Sequence, residues 1–306
     1  MSVVNASNGM AAEQQPLWRA YWELTKPRVV MLLMVTAVVG MFLATPGRVP
    51  ASVLILGSLG MALAMMASAV VNQVMDQRID AIMARTHRRP LVQGQLSTAA
   101  ALWFALGLAV TSLFILCVFI NVLTAVLTVF GMVGYAFIYT LYLKRATPQN
   151  IVIGGLAGAL PPLLGWTAVT GQVHPYALLL VLIVFTWTPP HFWALAIHRR
   201  DDYARANIPM LPVTHGIEFT KTAVLLYTVL LCIIALLPYL TGMSGLIYLA
   251  GSSVLGLIFL AYALRLKFRS NARLPMQTFG YSITYLFLLF GFLLVDHYFM
   301  FRLTSV

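Results

Sequence analysis

Charge is scarce in this sequence, and acidic charge is scarcest of all. Only 9% of the 306 residues are charged and only eight are Asp or Glu, whereas 61% are hydrophobic. An average soluble domain carries about 25% charged residues. A soluble core could not bury this much apolar side chain, so the composition excludes an ordinary soluble fold and indicates a membrane protein.

Cysteine is also rare, and its placement excludes two kinds of scaffold. The two cysteines, Cys117 and Cys232, both lie inside apolar runs. An isolated pair in such runs predicts neither a disulfide framework nor a thiolate metal centre. We expect both to pack as small core residues.

The amino-terminal residues lack the features of a targeting segment. Residues 1–16 contain no Lys or Arg and no long apolar run. This excludes both a secretory signal and an Arg-rich transit peptide. We predict a disordered cytoplasmic tail over residues 1–20, followed by a single transmembrane domain over 21–306.

What the sequence has in abundance is long apolar runs. A hydrocarbon layer of about 30 Å needs about 20 apolar residues in a helix. The runs are continuous, without the alternation typical of a barrel, so helices are predicted. We place nine spans at about 28–45, 53–75, 98–118, 122–143, 150–170, 176–199, 221–241, 245–266 and 278–300.

The basic residues predict the orientation of these spans. Seventeen of the 19 Lys and Arg fall in alternate loops, and only Arg48 and Arg302 fall on the other side. Because short cytoplasmic loops are enriched in Lys and Arg, the amino terminus is predicted to be cytoplasmic and the carboxyl terminus outside. No aromatic-basic groove accompanies these residues, so membrane lipid, and not nucleic acid, is the expected partner.

A weak internal repeat suggests how the spans are arranged. Thr25-Lys26-Pro27 opens span 1 and Thr147-Pro148 opens span 5, and each Thr-Pro pair suits a helix start with Thr as cap. Spans 2 and 6 both run into acidic residues. We predict an all-α fold of two four-helix halves plus a ninth helix around a central cavity.

Three polar residues at the end of span 2 form the strongest candidate site. Asn72, Asp76 and Asp80 are four residues apart. Each four-residue step advances a helix by about 400°, so the three side chains share one face. Carboxylate and amide oxygens suit Mg²⁺, which is commonly held by one or two carboxylates plus substrate phosphates. We predict a magnesium site for a phosphorylated ligand.

A second acidic pair and a set of cations complete the expected diphosphate site. Asp201 and Asp202 follow span 6; adjacent residues do not face together on a helix, and Asp201 is the preferred ligand of the two. A departing diphosphate also needs donors beyond its metal. The candidates are Lys26, Arg28, Arg85, Arg89, Lys144, Arg145 and Lys221.

Span 6 contains an unusual histidine. His191 directly follows Pro189-Pro190, and consecutive prolines are expected to break the helix. In lipid such a break needs protein or a cavity beside it, so His191 is predicted to face a cavity. His198 lies seven residues on, on nearly the same face.

Several stretches resemble a known family. The segment NQVMDQRID (72–80) resembles the first Asp-rich motif of the intramembrane UbiA prenyltransferase superfamily. ELTKPRVVMLL (23–33), YTLYLKRATPQNIVIGGLAGALPPLLGW (139–166) and TPPHFWALAIHRRDDYARANIPMLPV (188–213) resemble its protohaem IX farnesyltransferase (haem O synthase) branch. The resemblance covers residues 20–300.

The resemblance implies a bacterial inner-membrane enzyme that uses Mg²⁺, farnesyl diphosphate and protohaem IX to make haem O and diphosphate. Asn72, Asp76 and Asp80 match the first motif, whereas Asp201 and Asp202 stand where the second is expected but are adjacent. His191 matches the family's Pro-His pair. We hypothesise that His191, with His198 nearby, binds haem, with His191 on the iron.

Other functions remain open at this point. Prenylation of a quinone precursor or of chlorophyllide would share the Asp clusters but give no special role to His191. A transporter would use intramembrane charges, although transporters keep these near the membrane midplane and here the acids lie at one end. Haem A synthase or a terminal oxidase assembly pathway is the expected recipient of haem O.

Overall fold

The computed structural model describes residues 16–299, and within that range every regular element is a helix. We number the helices in chain order. They are α1 (Leu17–Leu24), α2 (Pro27–Leu43), α3 (Val53–Ile82), α4 (Thr98–Ile120), α5 (Val122–Ala146), α6 (Asn150–Thr170), α7 (Pro175–His198), α8 (Arg200–Arg205), α9 (Leu211–Thr214), α10 (Gly216–Leu240), α11 (Leu246–Phe268) and α12 (Leu274–Tyr298).

The predicted number of spans is confirmed when one bent pair counts as a single span. Eight helices in the described range are long and apolar enough to cross a membrane, and α1 with α2 supplies the ninth with a 45° bend between them. Most ends differ from the prediction by a few residues. Apart from α1, which precedes the predicted start of span 1, the largest difference is at α3, which continues to Ile82 and so carries the acidic cluster within the helix.

The amino-terminal boundary of the predicted tail is wrong at its last residues. Residues 17–20 form the first half of α1, in which Ala20 and Leu24 are buried. Trp18 and Trp22 lie on the opposite, exposed side. Buried and exposed apolar residues alternate along α1, so one face of the helix packs against the protein. The prediction placed the tail boundary too late because the residues before Leu17 are polar. Residues 1–15 of the predicted tail lie outside the described residues.

Neither threonine predicted to cap a span does so. Lys26 is the N-cap of α2, with φ at 50°, and Pro27 takes the first helical position as predicted. The Thr25 hydroxyl instead donates to the carbonyl of Trp22 at 2.7 Å. The second half-repeat differs as well, because α6 begins at Asn150 after an N-cap at Gln149.

The predicted helix break at Pro189-Pro190 is also wrong. Helix α7 continues through both prolines to His198. The Thr188 hydroxyl donates to the carbonyl of Val184 at 2.8 Å, which adds a side-chain bond beside the two missing amide donors. Dense packing on neighbouring helices lets a transmembrane helix tolerate such a loss.

Two glycines set the spacing between α2 and α6, which both contribute to the largest core cluster. A Cβ at Gly165 would lie 1.9 Å from the Ala37 carbonyl oxygen, and a Cβ at Gly40 would lie 2.3 Å from that of Pro162. Helices α2 and α6 therefore touch backbone to backbone, as small residues permit in membranes.

A separate core cluster joins the end of α3 to the α7–α8 corner. Ile79 from α3 and Met83, the C-cap that follows it, pack in one buried group with Trp193 and Tyr203. Because of this packing, the two acidic segments predicted from the sequence lie on elements that share a core.

Candidate functional site

The three polar residues of α3 are all buried. Asn72, Asp76 and Asp80 expose only 4%, 3% and 3% of their surface. Three consecutive i, i+4 positions lie inside the protein, as the helical spacing predicted. Burying a carboxylate costs free energy unless it is paired or hydrogen-bonded, so Asp76 and Asp80 need partners inside the protein.

Each of these residues meets a cation from another part of the chain. Lys26 Nζ donates to Asn72 Oδ1 at 2.5 Å, and Lys144 Nζ donates to Asp76 Oδ2 at 2.6 Å. Arg89 forms a salt bridge with Asp80. Three of the predicted diphosphate-binding cations are therefore gathered at the predicted metal residues.

Helix α5 contributes a residue that sequence reasoning missed. Thr140 Oγ1 accepts from Asn72 Nδ2 at 3.1 Å, and the same amide nitrogen also donates to Asp76 Oδ2 at 3.0 Å. Helix α5 widens to a π-helix over Gly134–Leu143, which contains Thr140, and Lys144 is the C-cap of that stretch. Such widening is common at functional sites, and here it turns both residues toward α3. The i, i+4 spacing of Thr140 and Lys144 was the available sequence signal.

One carboxylate oxygen lacks a partner. Asp76 Oδ1 is enclosed and makes no hydrogen bond among the described residues. No group of three His, Cys, Asp or Glu side chains within residues 16–299 is arranged to hold a metal by itself. The donor set nevertheless fits Mg²⁺, which keeps few protein ligands and takes the rest from water and phosphate.

The second acidic pair splits between surface and interior. The Asp201 side chain is 88% exposed and meets only Arg200, at 3.5 Å. Asp202 is buried, and Arg205 and Arg199 lie 2.5 Å and 3.7 Å from its carboxylate. Burial therefore favours Asp202 over Asp201 as a ligand, because of the two acids on the short helix α8 only Asp202 faces inward.

Tyr203 links the two acidic regions. Burial raises the pKa of its phenol, while the positive charges of Arg85 and Arg199 act in the opposite direction. Tyr203 also packs in the same buried group as Ile79 and Met83 at the end of α3. A neutral phenol here can donate to a ligand held between the acids.

The remaining predicted cations lie at the edge of the site or away from it. Arg28 and Lys26 line a cavity of about 650 Å³ at the bend between α1 and α2. Arg145 donates to the Met75 carbonyl at 3.3 Å. Lys221 forms a salt bridge with Glu218, one helical turn away, at 2.7 Å. The structure therefore does not bring Lys221 to the cluster.

The two histidines predicted to work together are separated by burial. His191 is 7% exposed and lies among aromatic rings. His198 is exposed at the end of α7 and makes no hydrogen bond among the described residues. Residues that are seven apart lie on a similar face of a helix, but the neighbouring helices cover only His191.

Comparison with known proteins defines the class. A family model described as the UbiA prenyltransferase family matches residues 33–294. The chain therefore belongs to the UbiA prenyltransferase family, and the resemblance stated from the sequence is confirmed.

Similar relatives within this family share one name. Proteins called protoheme IX farnesyltransferase from Alcanivorax borkumensis and Colwellia psychrerythraea are 69% and 59% identical to this chain. Each match covers 92% of this chain, and 93% and 92% of the two relatives. A third, from Shewanella sediminis, is 55% identical over 97% of this chain and 98% of its own length.

Solved structures share the fold at low identity. A structure described as digeranylgeranylglyceryl phosphate synthase superposes with a TM-score of 0.77 and 17% identity, covering 92% of this chain and 99% of that one. A UbiA homolog from Archaeoglobus fulgidus bound to GPP and Mg²⁺ has a TM-score of 0.63 and 20% identity, covering 90% and 99%. The predicted all-helical membrane fold is confirmed.

Proposed function

We propose that this chain transfers the farnesyl group of farnesyl diphosphate to a vinyl group of protohaem IX, with addition of water, giving haem O and diphosphate. The observation that carries this proposal is the 69% identity to a protoheme IX farnesyltransferase across 92% of the chain. The buried cation–acid cluster supplies the chemistry that such a transfer needs.

The cluster of Asn72, Asp76 and Asp80 on α3 is the proposed diphosphate-binding site. Lys26, Lys144 and Arg89 are already inside it, each on one of the polar side chains. A diphosphate entering here meets three cationic donors, with Arg28, Arg85 and Arg145 at the edge. As the allylic C–O bond breaks, its electron pair goes to the diphosphate, and these donors stabilise that charge.

Asn72, Asp76, Asp80 and Asp202 are the proposed holders of Mg²⁺. Asp76 offers an enclosed oxygen with no partner, and Asp80 and Asp202 offer buried carboxylates that now meet only arginines. When bound, Mg²⁺ would supply charge neutralisation at the leaving diphosphate. Exposed Asp201 and paired Lys221 are not needed in this scheme.

The acceptor reaction places modest demands on the protein. A haem vinyl carbon attacks the farnesyl carbon, which leaves a carbocation beside the porphyrin ring. Water captures that cation and loses a proton, giving the hydroxyl of the product. The chain must hold the porphyrin and limit water, and we place His191 on its iron, since haem iron commonly takes a His ligand.

An aromatic quinone precursor is the alternative acceptor, and a transporter is the alternative class. Purified protein in nanodiscs would be given labelled farnesyl diphosphate and Mg²⁺ with haem, with 4-hydroxybenzoate, or alone. We expect labelled haem O and stoichiometric diphosphate only with haem. Product only with 4-hydroxybenzoate would establish the alternative acceptor, and no diphosphate release in any arm would remove the transferase proposal.

The proposal extends to the cellular setting. The chain is a multi-pass membrane protein. We place it in the bacterial inner membrane as a single transmembrane domain that begins with α1, with the amino terminus cytoplasmic and the carboxyl terminus outside. Membrane lipid surrounds it, and haem A synthase or a terminal oxidase assembly pathway receives its product.

A further inference from the structure

The His191 ring is held in one plane by its neighbours. Trp187, one turn earlier on α7, stacks on it at a centroid distance of 4.3 Å and an interplanar angle of 20°. Phe279, from α12, also stacks on the ring, at 4.5 Å and 26°. Contacts of this kind fix the ring orientation and leave only its nitrogen-bearing edge for polar contacts.

Ser282 on α12 determines which nitrogen carries the proton. Its Oγ lies 2.6 Å from His191 Nδ1 and 2.6 Å from the carbonyl oxygen of Phe279. A carbonyl oxygen can only accept, so the serine hydroxyl proton points to Phe279. Ser282 Oγ must then accept a hydrogen bond from Nδ1–H of His191.

The other ring nitrogen is therefore left with a lone pair. In neutral imidazole one nitrogen donates and the other accepts, so an Nδ1–H tautomer leaves Nε2 unprotonated. Nε2 makes no hydrogen bond among the described residues. Trp187 Nε1 donates to the Ser282 carbonyl at 2.8 Å, which ties the stacking ring to the same turn of α12.

We propose that Ser282 is a positioning residue for the porphyrin acceptor: it holds His191 as the Nδ1–H tautomer so that Nε2 binds the haem iron. This inference rests on the proposed function. A histidine on a metal usually donates its other N–H to a second group, and loss of that group typically lowers metal affinity by about 10- to 100-fold.

The test is a haem titration of the purified full chain in nanodiscs, followed by absorption spectroscopy. We expect S282A to bind haem at least about tenfold more weakly, with a displaced Soret band, because His191 is then free to adopt the other tautomer. The matched control is T278A, one turn away on α12, where the buried hydroxyl bonds only to the carbonyl of Leu274. T278A should titrate like the wild type.

Two further variants keep the test decisive. S282T retains a hydroxyl acceptor and should restore the wild-type spectrum, and H191A should lose the axial-ligand signature and regain it with added imidazole. Wild-type affinity and spectrum in S282A, or an unchanged spectrum in H191A, would overturn the proposal. Failure of the proposed function is a separate result, seen as no farnesylated haem from the wild-type protein even when it binds haem.

Discussion

At the scale of single residues, the site is a set of neutralised charges. Asp76 sits at the centre, because its carboxylate receives both the Asn72 amide and the Lys144 ammonium. A buried ion pair is weak evidence for stability, since desolvation offsets most of the attraction. The Lys144–Asp76 pair lies beside Asp76 Oδ1, which has no partner. A ligand that contacts both charged groups explains this arrangement better than stability does.

We predict that D76N reduces farnesyl transfer by roughly 100-fold or more, because a neutral amide cannot match Lys144 or serve as an anionic ligand. Turnover of labelled farnesyl diphosphate with haem measures this effect. The control is D201N, whose side chain is 88% exposed and should leave turnover within about twofold. Equal activity of D76N and wild type would remove the α3 cluster from the reaction, provided the melting temperature is unchanged.

At the scale of elements, distant helices are tied together by few polar bonds. Gln73 on α3 donates to the carbonyls of Glu23 and Leu24, which fixes the end of α1 and so places Lys26. Asp296 on α12 is fully buried and accepts from the amides of Gly245 and Tyr248 at the start of α11. A carboxylate at a helix amino terminus satisfies its orphan donors, so Asp296 has a structural role.

The α2–α6 contact gives an element-scale prediction. G165A should destabilise the protein by about 1–3 kcal/mol, because the new methyl would meet the Ala37 backbone, which cannot move aside as a side chain can. Thermal melting in detergent measures it. The matched control is G107A on α4, where no atom lies within 4 Å of the added Cβ. If both variants melt alike, the two helices are less closely packed than described.

At the scale of the whole molecule, the asymmetry of basic residues predicts orientation. Seventeen of the 19 Lys and Arg lie in alternate loops. The acid cluster lies at the end of a span that enters one of these loops, so the proposed diphosphate site lies on the predicted cytoplasmic side. Farnesyl diphosphate would then be bound from the cytoplasm.

Alkaline phosphatase fusions test this orientation, because that enzyme needs disulfides that form only outside the cytoplasm. A fusion after Val306 should be active. A fusion in the loop 269–273, between α11 and α12, should be inactive and serves as the internal control. The reverse pattern would place the carboxyl terminus in the cytoplasm and contradict the proposed topology.

Much of the fold followed from local sequence. Run length decides whether a helix can span a membrane, and the i, i+4 spacing decides that Asn72, Asp76 and Asp80 share a face. These are properties of one helix and need no neighbour. The predicted break at Pro189-Pro190 failed for the complementary reason, since surrounding helices allow α7 to continue through both prolines.

What only the tertiary structure decided is which distant groups meet. The sequence determined that a polytopic helical protein carries an acidic cluster at the end of one span. It could not select Lys144 and Arg89 over Lys221, Asp202 over Asp201, or Ser282 as the partner of His191. Those choices depend on helix rotation and packing between elements far apart in the chain, where burial makes an unpaired polar group costly and a matched one stable.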